Sequence, residues 1–175
     1  MVALDLHCDD LFALYRSALP ELDLVEQLAA DEPFVYQLFG QDRRAMLQHA
    51  AFRPELMEAL LKMQYESQCH TWRQTAPTAR YVVVRNAGIA IGRVVIDQTP
   101  AGIHLVDISL LPLARGRGIG GALLDGLAAV AAARGLPIQA QVAADNPALN
   151  LYLRKGFVVE DRSQFYYKIA LHHRA

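Results

Sequence analysis

The segment that most constrains the fold of this chain is a glycine- and arginine-rich stretch, RGRGIGG, at positions 115–121. It follows an apolar, β-branched run that Pro112 ends, and it precedes a long stretch with helical spacing, so it links a strand to the start of a helix. The first amides of a helix lack intrahelical partners, and the helix dipole is positive there. Glycines let the backbone approach a bound group closely, while Arg115 and Arg117 add positive charge. The stretch therefore predicts a phosphate site, and a diphosphate fits all of its features.

Other glycine-rich loops have related patterns. A Walker A loop ends in Gly-Lys-Ser/Thr, whereas this loop continues as Gly-Gly-Ala (120–122), which disfavours nucleotide hydrolysis. The spacing of Gly116, Gly118 and Gly121 matches the dinucleotide fingerprint, and Asp145 follows at a suitable distance. However, a Rossmann domain needs several more strand–helix units after that acid, and only about 30 residues remain. A solvated turn without a ligand is the remaining alternative.

Helical patterns dominate the first part of the chain, up to about residue 75. A first helix is predicted over about 9–19, and the stretch 22–48 is ambiguous because Pro33 and Gly40 interrupt its pattern. Pro54 opens a long helix, PELMEALLKMQYESQCHTWRQ, as a proline in the first turn should. The stripe expected on this helix consists of Leu56, Leu60, Met63 and Ser67.

From Tyr81 the pattern changes to short β-branched runs. YVVVR and IAIGRVVI predict a hairpin around Asn-Ala-Gly, and IHLVDISLL predicts a third strand that leads into the loop. A helix follows over 119–134, with Leu123, Leu127 and Val130 facing inward, and then come the strand PIQAQV, a short helix and the strands FVVE and FYYKIAL. This order indicates an α+β fold with a mixed sheet, in which the strands flanking the 119–134 helix run parallel.

Two motifs together resemble the GNAT superfamily of acetyl-CoA-dependent N-acetyltransferases. SLLPLARGRGIGGALL is similar to the family's pyrophosphate loop, Arg-x-x-Gly-x-Gly, and NPALNLYLRKGF is similar to its second motif. The resemblance implies one GNAT-like domain over 1–175, with a motif-bearing core at about 80–170 and a variable helical part at about 9–75. It also implies a mostly antiparallel, twisted sheet with helices on both faces and splayed central strands. The matching positions of the second motif are Asn146, Leu151, Tyr152, Arg154, Gly156 and Phe157.

The resemblance implies an enzyme that moves an acetyl group directly from acetyl-CoA to a primary amine, on a small molecule or a peptide. Tyr152 matches the family's general acid, and an amide near Leu110 would meet the thioester carbonyl. A CoA-binding module without activity on the same fold is the alternative. The residues expected to contact acetyl-CoA are Leu110, Leu111, Arg115, Gly116, Arg117, Gly118, Ile119, Gly120, Gly121, Asn146 and Asn150.

Three side chains are candidates for the general base. Asp107 and Ser109 share one face of their strand by alternation, and His104 falls on the other face unless a β-bulge breaks the parity. The reference pKa of histidine, about 6.5, suits proton removal by His104. Glu66 on the long helix is the third candidate, and a chain of water molecules without a dedicated side chain is the alternative.

The composition of the chain limits the kinds of partner that it is expected to bind. The 17 basic and 18 acidic residues leave a net charge of −1, which argues against a nucleic-acid partner. No apolar run is long enough to span a membrane, and the start MVALDLHCDD lacks the basic residues of a secretory signal, so we expect a cytoplasmic protein. In the reducing cytoplasm, Cys8 and Cys69 are expected to be free thiols. His172 and His173 lack companions at ligand spacing, so no metal is expected. A homodimer, common in the family, is left open.

Overall fold

The computed structural model describes residues 8–47 and 53–172, which form one seven-stranded sheet flanked by helices. The α-helices in the described part of the chain are α1 Cys8–Ser17, α2 Glu32–Leu47, α3 Pro54–Thr75, α4 Ile119–Ala133 and α5 Leu149–Arg154. The strands there are β1 Asp23–Glu26, β2 Arg80–Asn86, β3 Ile89–Thr99, β4 Gly102–Leu110, β5 Ile138–Ala143, β6 Val158–Arg162 and β7 Tyr166–Leu171.

The strand order across the sheet is β1-β2-β3-β4-β5-β7-β6. Among the described strands, β4 and β5 form the one parallel pair, and all other neighbours are antiparallel. This confirms that the strands on either side of the α4 crossover run parallel, as a helical connection requires. A mostly antiparallel sheet excludes the Rossmann alternative, which needs a parallel one.

The β2–β3 hairpin turns where the sequence predicts it. Ala87 and Gly88 both have positive φ, 49° and 78°, as the tightest hairpin turns require. Glycine adopts this conformation without strain, while alanine does so at some cost. The other predicted strands and α4 also lie where their patterns indicate, within a few residues.

The ambiguous stretch 22–48 contains two elements that the pattern did not resolve, β1 and α2. Pro33 and Gly40 do not interrupt α2. Pro33 lies in its first turn, where a proline removes no helical hydrogen bond. Gly40 is buried mid-helix, and a Cβ at this position would lie 2.5 Å from Arg44 Nη1, so the glycine leaves room for that side chain.

The stripe predicted for α3 is wrong. Leu56 and Met63 are 55% and 60% exposed, whereas Leu61 and Tyr65 are buried. Tyr65 packs edge-on against Phe39 of α2, with ring centroids 5.2 Å apart. The sequence pattern indicated the wrong buried side of α3 because α2, the helix that packs against it, was not recognised in the sequence.

The two faces of the sheet carry different helices. On one face Val94 and Ile96 join the main core with α1 and α4, and Leu123, Leu127 and Val130 of α4 are buried as predicted. Tyr15 of α1 belongs to the same core. On the other face α2 and α3 cover the sheet through a smaller cluster that contains Val35, Phe39 and Tyr65.

Candidate functional site

The parallel pair of strands separates halfway along its length. In the described structure β4 pairs with β5 over Ile103–Leu105 and Ile138–Ala140, while β5 continues to pair with β7 as far as Ala143. The second half of β4, from Val106 to Leu110, therefore leaves β5 and opens the middle of the sheet. This confirms the splayed central strands.

A cleft of about 650 Å³ lies at this opening, on the face that α4 covers. Its floor is the end of β4, one wall is the start of α4, and the other wall is α5. It holds the glycine loop at one end and the phenol of Tyr152 in its lining. Its lining residues are Ile108, Leu110, Arg115, Gly116, Gly118, Gly120, Gly121, Ala122, Leu124, Asp125, Ala148, Leu151, Tyr152, Arg154 and Lys155.

The glycine loop has the backbone conformation that only glycine adopts freely. Gly116 and Gly118 have φ of 71° and 81°, and no heavy atom lies within 4 Å of the position a Cβ would take at either one. The first bond of the α4 ladder runs from the amide of Ala122 to the carbonyl of Gly118, so the amides of 119–121 precede the ladder. Gly118 is the N-cap and no side chain caps it. These amides and the positive helix end can receive an anion.

Arg115 fixes the loop to the end of β4. Its Nε donates to the carbonyl of Leu110 at 2.9 Å, so part of the guanidinium already has a protein partner. Arg117, two residues further along the loop, is exposed. The loop therefore presents cationic side chains at the same end of the cleft as the helix amides.

Tyr152 is 6% exposed and is held by α5. Its ring packs edge-on against Phe157, with centroids 5.3 Å apart, which sets its orientation. Burial raises the pKa of the Tyr152 phenol well above its usual range, and the negative charge of Asp107 raises it further. The phenol is therefore protonated throughout the neutral range.

Asp107 belongs to a buried polar network on the α3 face of the sheet. Its Oδ2 accepts from Arg93 Nη2 at 2.9 Å and from Nε at 3.3 Å, and its Oδ1 accepts from Ser109 Oγ at 3.0 Å. Arg93 is 4% exposed and its guanidinium stacks over Trp72 of α3, 4.9 Å from the ring centroid. Both oxygens of the Asp107 carboxylate therefore have hydrogen-bond donors within the protein.

A β-bulge changes the faces that alternation assigned to β4. Val95 pairs with Asp107 and Ile96 pairs with Leu105, so Val106 is an extra residue. His104, opposite Asp97, consequently lies on the same face as Asp107, and its assignment to the opposite face is wrong. His104 nevertheless lies in the paired half of β4, and it is outside the lining of the described clefts.

A family model described as "Acetyltransferase (GNAT) family" matches residues 33–157 of the chain. The chain belongs to this family. No curated protein sequence matches it at a significant level.

Solved GNAT structures share the fold of the chain. The PaiA N-acetyltransferase of Thermoplasma acidophilum, in complex with coenzyme A, is 14% identical with a TM-score of 0.66, covering 87% of this chain and 99% of that one. An acetyltransferase of Thermus thermophilus is 18% identical with a TM-score of 0.60, over 87% and 97%. The spermidine N-acetyltransferase of Vibrio cholerae, in complex with CoA and spermine, is 21% identical with a TM-score of 0.58, over 87% and 96%.

The cleft of this GNAT chain unites most of the motif residues but not all of them. Leu110, Tyr152 and all four loop glycines line it, together with Arg115. Leu111 donates its amide to Ile91, and Asn146 Oδ1 accepts from the amide of Ala148 at 2.9 Å, so both have structural contacts. The predicted contacts outside the described cleft wall are Leu111, Arg117, Ile119, Asn146 and Asn150.

Several cleft residues were missed in the sequence. Lys155 Nζ lies 2.5 Å from Asp125 Oδ2, an ion pair that joins α5 to α4 across the cleft. Ala122 and Asp125 lie four residues after Gly118 and Gly121, so they fall on the same side of the helix. Helical spacing therefore could have predicted that they also line the cleft. The place of Lys155 beside Gly121 depends on tertiary packing.

Glu66, the third base candidate, is exposed on α3, 4.0 Å from Lys62, and lies outside both described clefts. Cys69 is a half-buried free thiol. Within residues 8–47 and 53–172, no group of three or more His, Cys, Asp and Glu side chains is arranged to hold a metal ion. No helix in the described part of the chain is long and apolar enough to cross a membrane.

Proposed function

We propose that this GNAT protein transfers an acetyl group from acetyl-CoA to a primary amine in one direct step. The observation that carries the proposal is the cleft where β4 leaves β5. The helix amides that precede the α4 ladder and the side chain of Arg115 lie at one end, and a buried, protonated tyrosine lies in its lining. This arrangement provides an anion site and a proton donor around an opening in the sheet.

The described residues fit coenzyme A. The amides of 119–121 and the guanidiniums of Arg115 and Arg117 would receive the diphosphate, because glycine at 116 and 118 leaves the loop surface open. The separated half of β4 offers backbone groups to the pantetheine amides, as unpaired strand groups do. Arg154 and Lys155 add positive charge along the same cleft. Coenzyme A complexes of two structural neighbours support this assignment.

In the proposed reaction the nitrogen of a neutral amine attacks the thioester carbonyl. A C–N bond forms, the C–S bond breaks, and the sulfur leaves as a thiolate. Tyr152 donates its phenolic proton toward that sulfur, and the proton lost by the nitrogen restores the phenol through water. The overall reaction converts an amine and a thioester into an amide and a thiol, with no net proton change when the amine enters neutral.

Among the three base candidates, Asp107 is the one that lies in the separated half of β4 and whose charge acts on the Tyr152 phenol. Arg93 and Ser109 donate to both oxygens of the Asp107 carboxylate, so its lone pairs are partly occupied by contacts within the protein. We therefore assign to Asp107 the electrostatic role of keeping Tyr152 protonated and attracting the amine, and we assign proton removal to water. His104 and Glu66 have no place in this scheme, since both lie outside the described clefts.

Two measurements on the purified protein test the proposal. Calorimetry should show binding of acetyl-CoA, and a thiol reagent should detect CoA release when primary amines are added. Binding without release for every amine tried would favour the CoA-binding module. Absence of acetyl-CoA binding would refute the assignment of the cleft.

A further inference from the structure

A second cleft, of about 250 Å³, lies on the other face of the sheet, beneath α2 and α3. It extends from β3 across β2 to the end of β1. The side chains that the following argument uses are Gln27, Glu32, Tyr65, Arg73 and Arg93. We call it the α3 cleft.

The α3 cleft is linked to the glycine-loop cleft through Arg93 and Asp107. Arg93 lines the α3 cleft and donates to Asp107 at 2.9 Å. Asp107 lies in the half of β4 that leaves β5, and the end of that half, Ile108 and Leu110, lines the glycine-loop cleft. The α3 cleft therefore lies one ion pair away from the opening in the sheet, on the side opposite the glycine loop. An acceptor bound there would reach the thioester through the opening between β4 and β5.

The end of the α3 cleft nearest the opening is cationic. Arg93 commits Nε and Nη2 to Asp107, and Arg73 of α3 makes no ion pair with any described residue. Both guanidiniums line the cleft. Arginine binds carboxylates through paired N–H groups, so this end suits a carboxylate.

The far end of the α3 cleft offers hydrogen-bond acceptors. Gln27 Oε1 is buried and has no hydrogen-bond partner among the described residues. Glu32 accepts the Tyr65 hydroxyl at 2.7 Å and keeps further lone pairs. Neighbouring strands are about 4.8 Å apart, so Gln27, after β1, lies roughly 10 Å from the β3 position of Arg93. This end suits an N–H donor on the remote part of an acceptor.

We propose that the acceptor is a small α-amino carboxylate, whose carboxylate meets Arg73 and Arg93 while its amine faces the opening beside Asp107. This inference rests on the proposed function and names its substrate class. In an α-amino acid one carbon separates the amine from the carboxylate, which matches a cationic group placed next to the reaction site. A side chain with an N–H donor would extend toward Gln27 and Glu32.

A polyamine fits the α3 cleft poorly. Its ammonium groups would meet Arg73 and Arg93, and the carboxylates of Glu32 and Asp107 only balance those two charges. Recognition of a polycation needs an excess of carboxylates, because like charges at close range are unfavourable. Spermidine therefore serves as the comparison acceptor in the experiments.

The first experiment compares matched acceptors in a CoA-release assay. Glycine, L-alanine and L-glutamine are each measured beside their carboxamides, with spermidine as a further acceptor. We expect kcat/KM for the free acids to exceed that for the carboxamides by about tenfold or more. Equal or faster turnover of the carboxamides, or of spermidine, would overturn the proposal.

The second experiment uses Arg73→Gln, with Arg73→Lys as the conservative variant. Arg73→Gln should raise KM for the free acids about tenfold, leave KM for the carboxamides unchanged, and be partly rescued by Arg73→Lys. Lys62→Gln, on the same helix but outside the cleft, is the control and should change neither. An equal change for acids and carboxamides, or no change, would contradict the carboxylate contact.

A third measurement separates this proposal from the proposed function. Binding of N-acetyl-L-alanine and of its carboxamide is measured by calorimetry in saturating CoA. Preference for the free acid supports the carboxylate contact even if no tested amine turns over. Binding of CoA with no preference between the two overturns the acceptor class and leaves the cofactor cleft intact. Failure of CoA itself to bind refutes both.

Discussion

The guanidinium of Arg93 and the carboxylate of Asp107 form an ion pair between neighbouring strands, with Nη2 2.9 Å and Nε 3.3 Å from Oδ2. The side chains are 5% and 20% exposed, so water screens the pair only partly. Arg93 lines the α3 cleft, and Asp107 lies in the half of β4 whose end lines the glycine-loop cleft. The ion pair is therefore both a structural contact and a part of the proposed site.

Breaking this pair on one side should destabilise the protein. Arg93→Met leaves the partly buried Asp107 carboxylate without its cation, and a loss of unfolding free energy of about 3 kcal/mol is expected. The double variant Arg93→Met with Asp107→Leu should recover most of that loss but not turnover. Urea denaturation measures the first effect and CoA release the second. A single variant as stable as the parent protein would show that the pair contributes little.

Tyr152→Phe should lower turnover by about 10²-fold, because the departing thiolate loses its proton donor. Acetyl-CoA affinity should change little, since the ring and its contact with Phe157 remain. CoA-release assays measure the turnover, and calorimetry measures the affinity for acetyl-CoA.

Tyr15→Phe is the matched control for Tyr152→Phe. Both residues are buried in the main core, but Tyr15 donates to the carbonyl of Leu123 at 3.0 Å and lies outside both described clefts. Its loss should cost about 1 kcal/mol of stability and leave kcat unchanged. Equal rates for the two variants would remove the acid role from Tyr152.

Gly120 tests the anion site without backbone strain. A Cβ there would lie 3.4 Å from Leu151 Cδ2 and 3.7 Å from Leu110 Cδ1, which are ordinary contacts, so Gly120→Ala should keep the fold. Gly120→Glu adds a negative charge where the diphosphate is proposed, and acetyl-CoA affinity should fall by about 10²-fold or more. Gly118→Glu should also abolish binding, but the φ of 81° at Gly118 adds strain that complicates its interpretation. Micromolar affinity retained in Gly120→Glu would refute the loop assignment.

The alkaline stability of the protein should depend on Tyr15. Burial raises the pKa of the Tyr15 phenol far above the value of about 10 that it has in the unfolded chain. Its contribution to stability is therefore fully present below about pH 10 and is lost as the pH rises toward the folded-state pKa.

Tyr15→Phe should remove this pH dependence of the unfolding free energy, because it removes the phenolic proton. Between about pH 10 and 11 the parent protein should lose up to about 1.4 kcal/mol more unfolding free energy than the variant. Denaturation at a series of pH values measures the difference. Parallel pH profiles for the two proteins would mean that the phenol ionises freely in the folded state.

The local motifs were readable from the sequence because their chemistry is contained in neighbouring residues. A strand, a glycine turn and a helix follow one another at 102–133, and the turn glycines 116 and 118 have the positive φ that such a loop requires. The parallel pairing of β4 with β5 followed from the helical crossover between them. The second motif also singled out Tyr152, which is buried and lines the cleft.

Tertiary structure decided what depends on distant residues. The extra residue Val106 moved His104 to the face of Asp107, and only strand pairing reveals a bulge. The buried side of α3 was set by α2, which the pattern of 22–48 left ambiguous. The α3 cleft joins Gln27 with Arg93, far apart in sequence, because β1, β2 and β3 are neighbours in the sheet. The periodicity of the sequence indicates which side of a helix or strand is apolar. The contacts between helices and strands are decided only when the whole chain packs together.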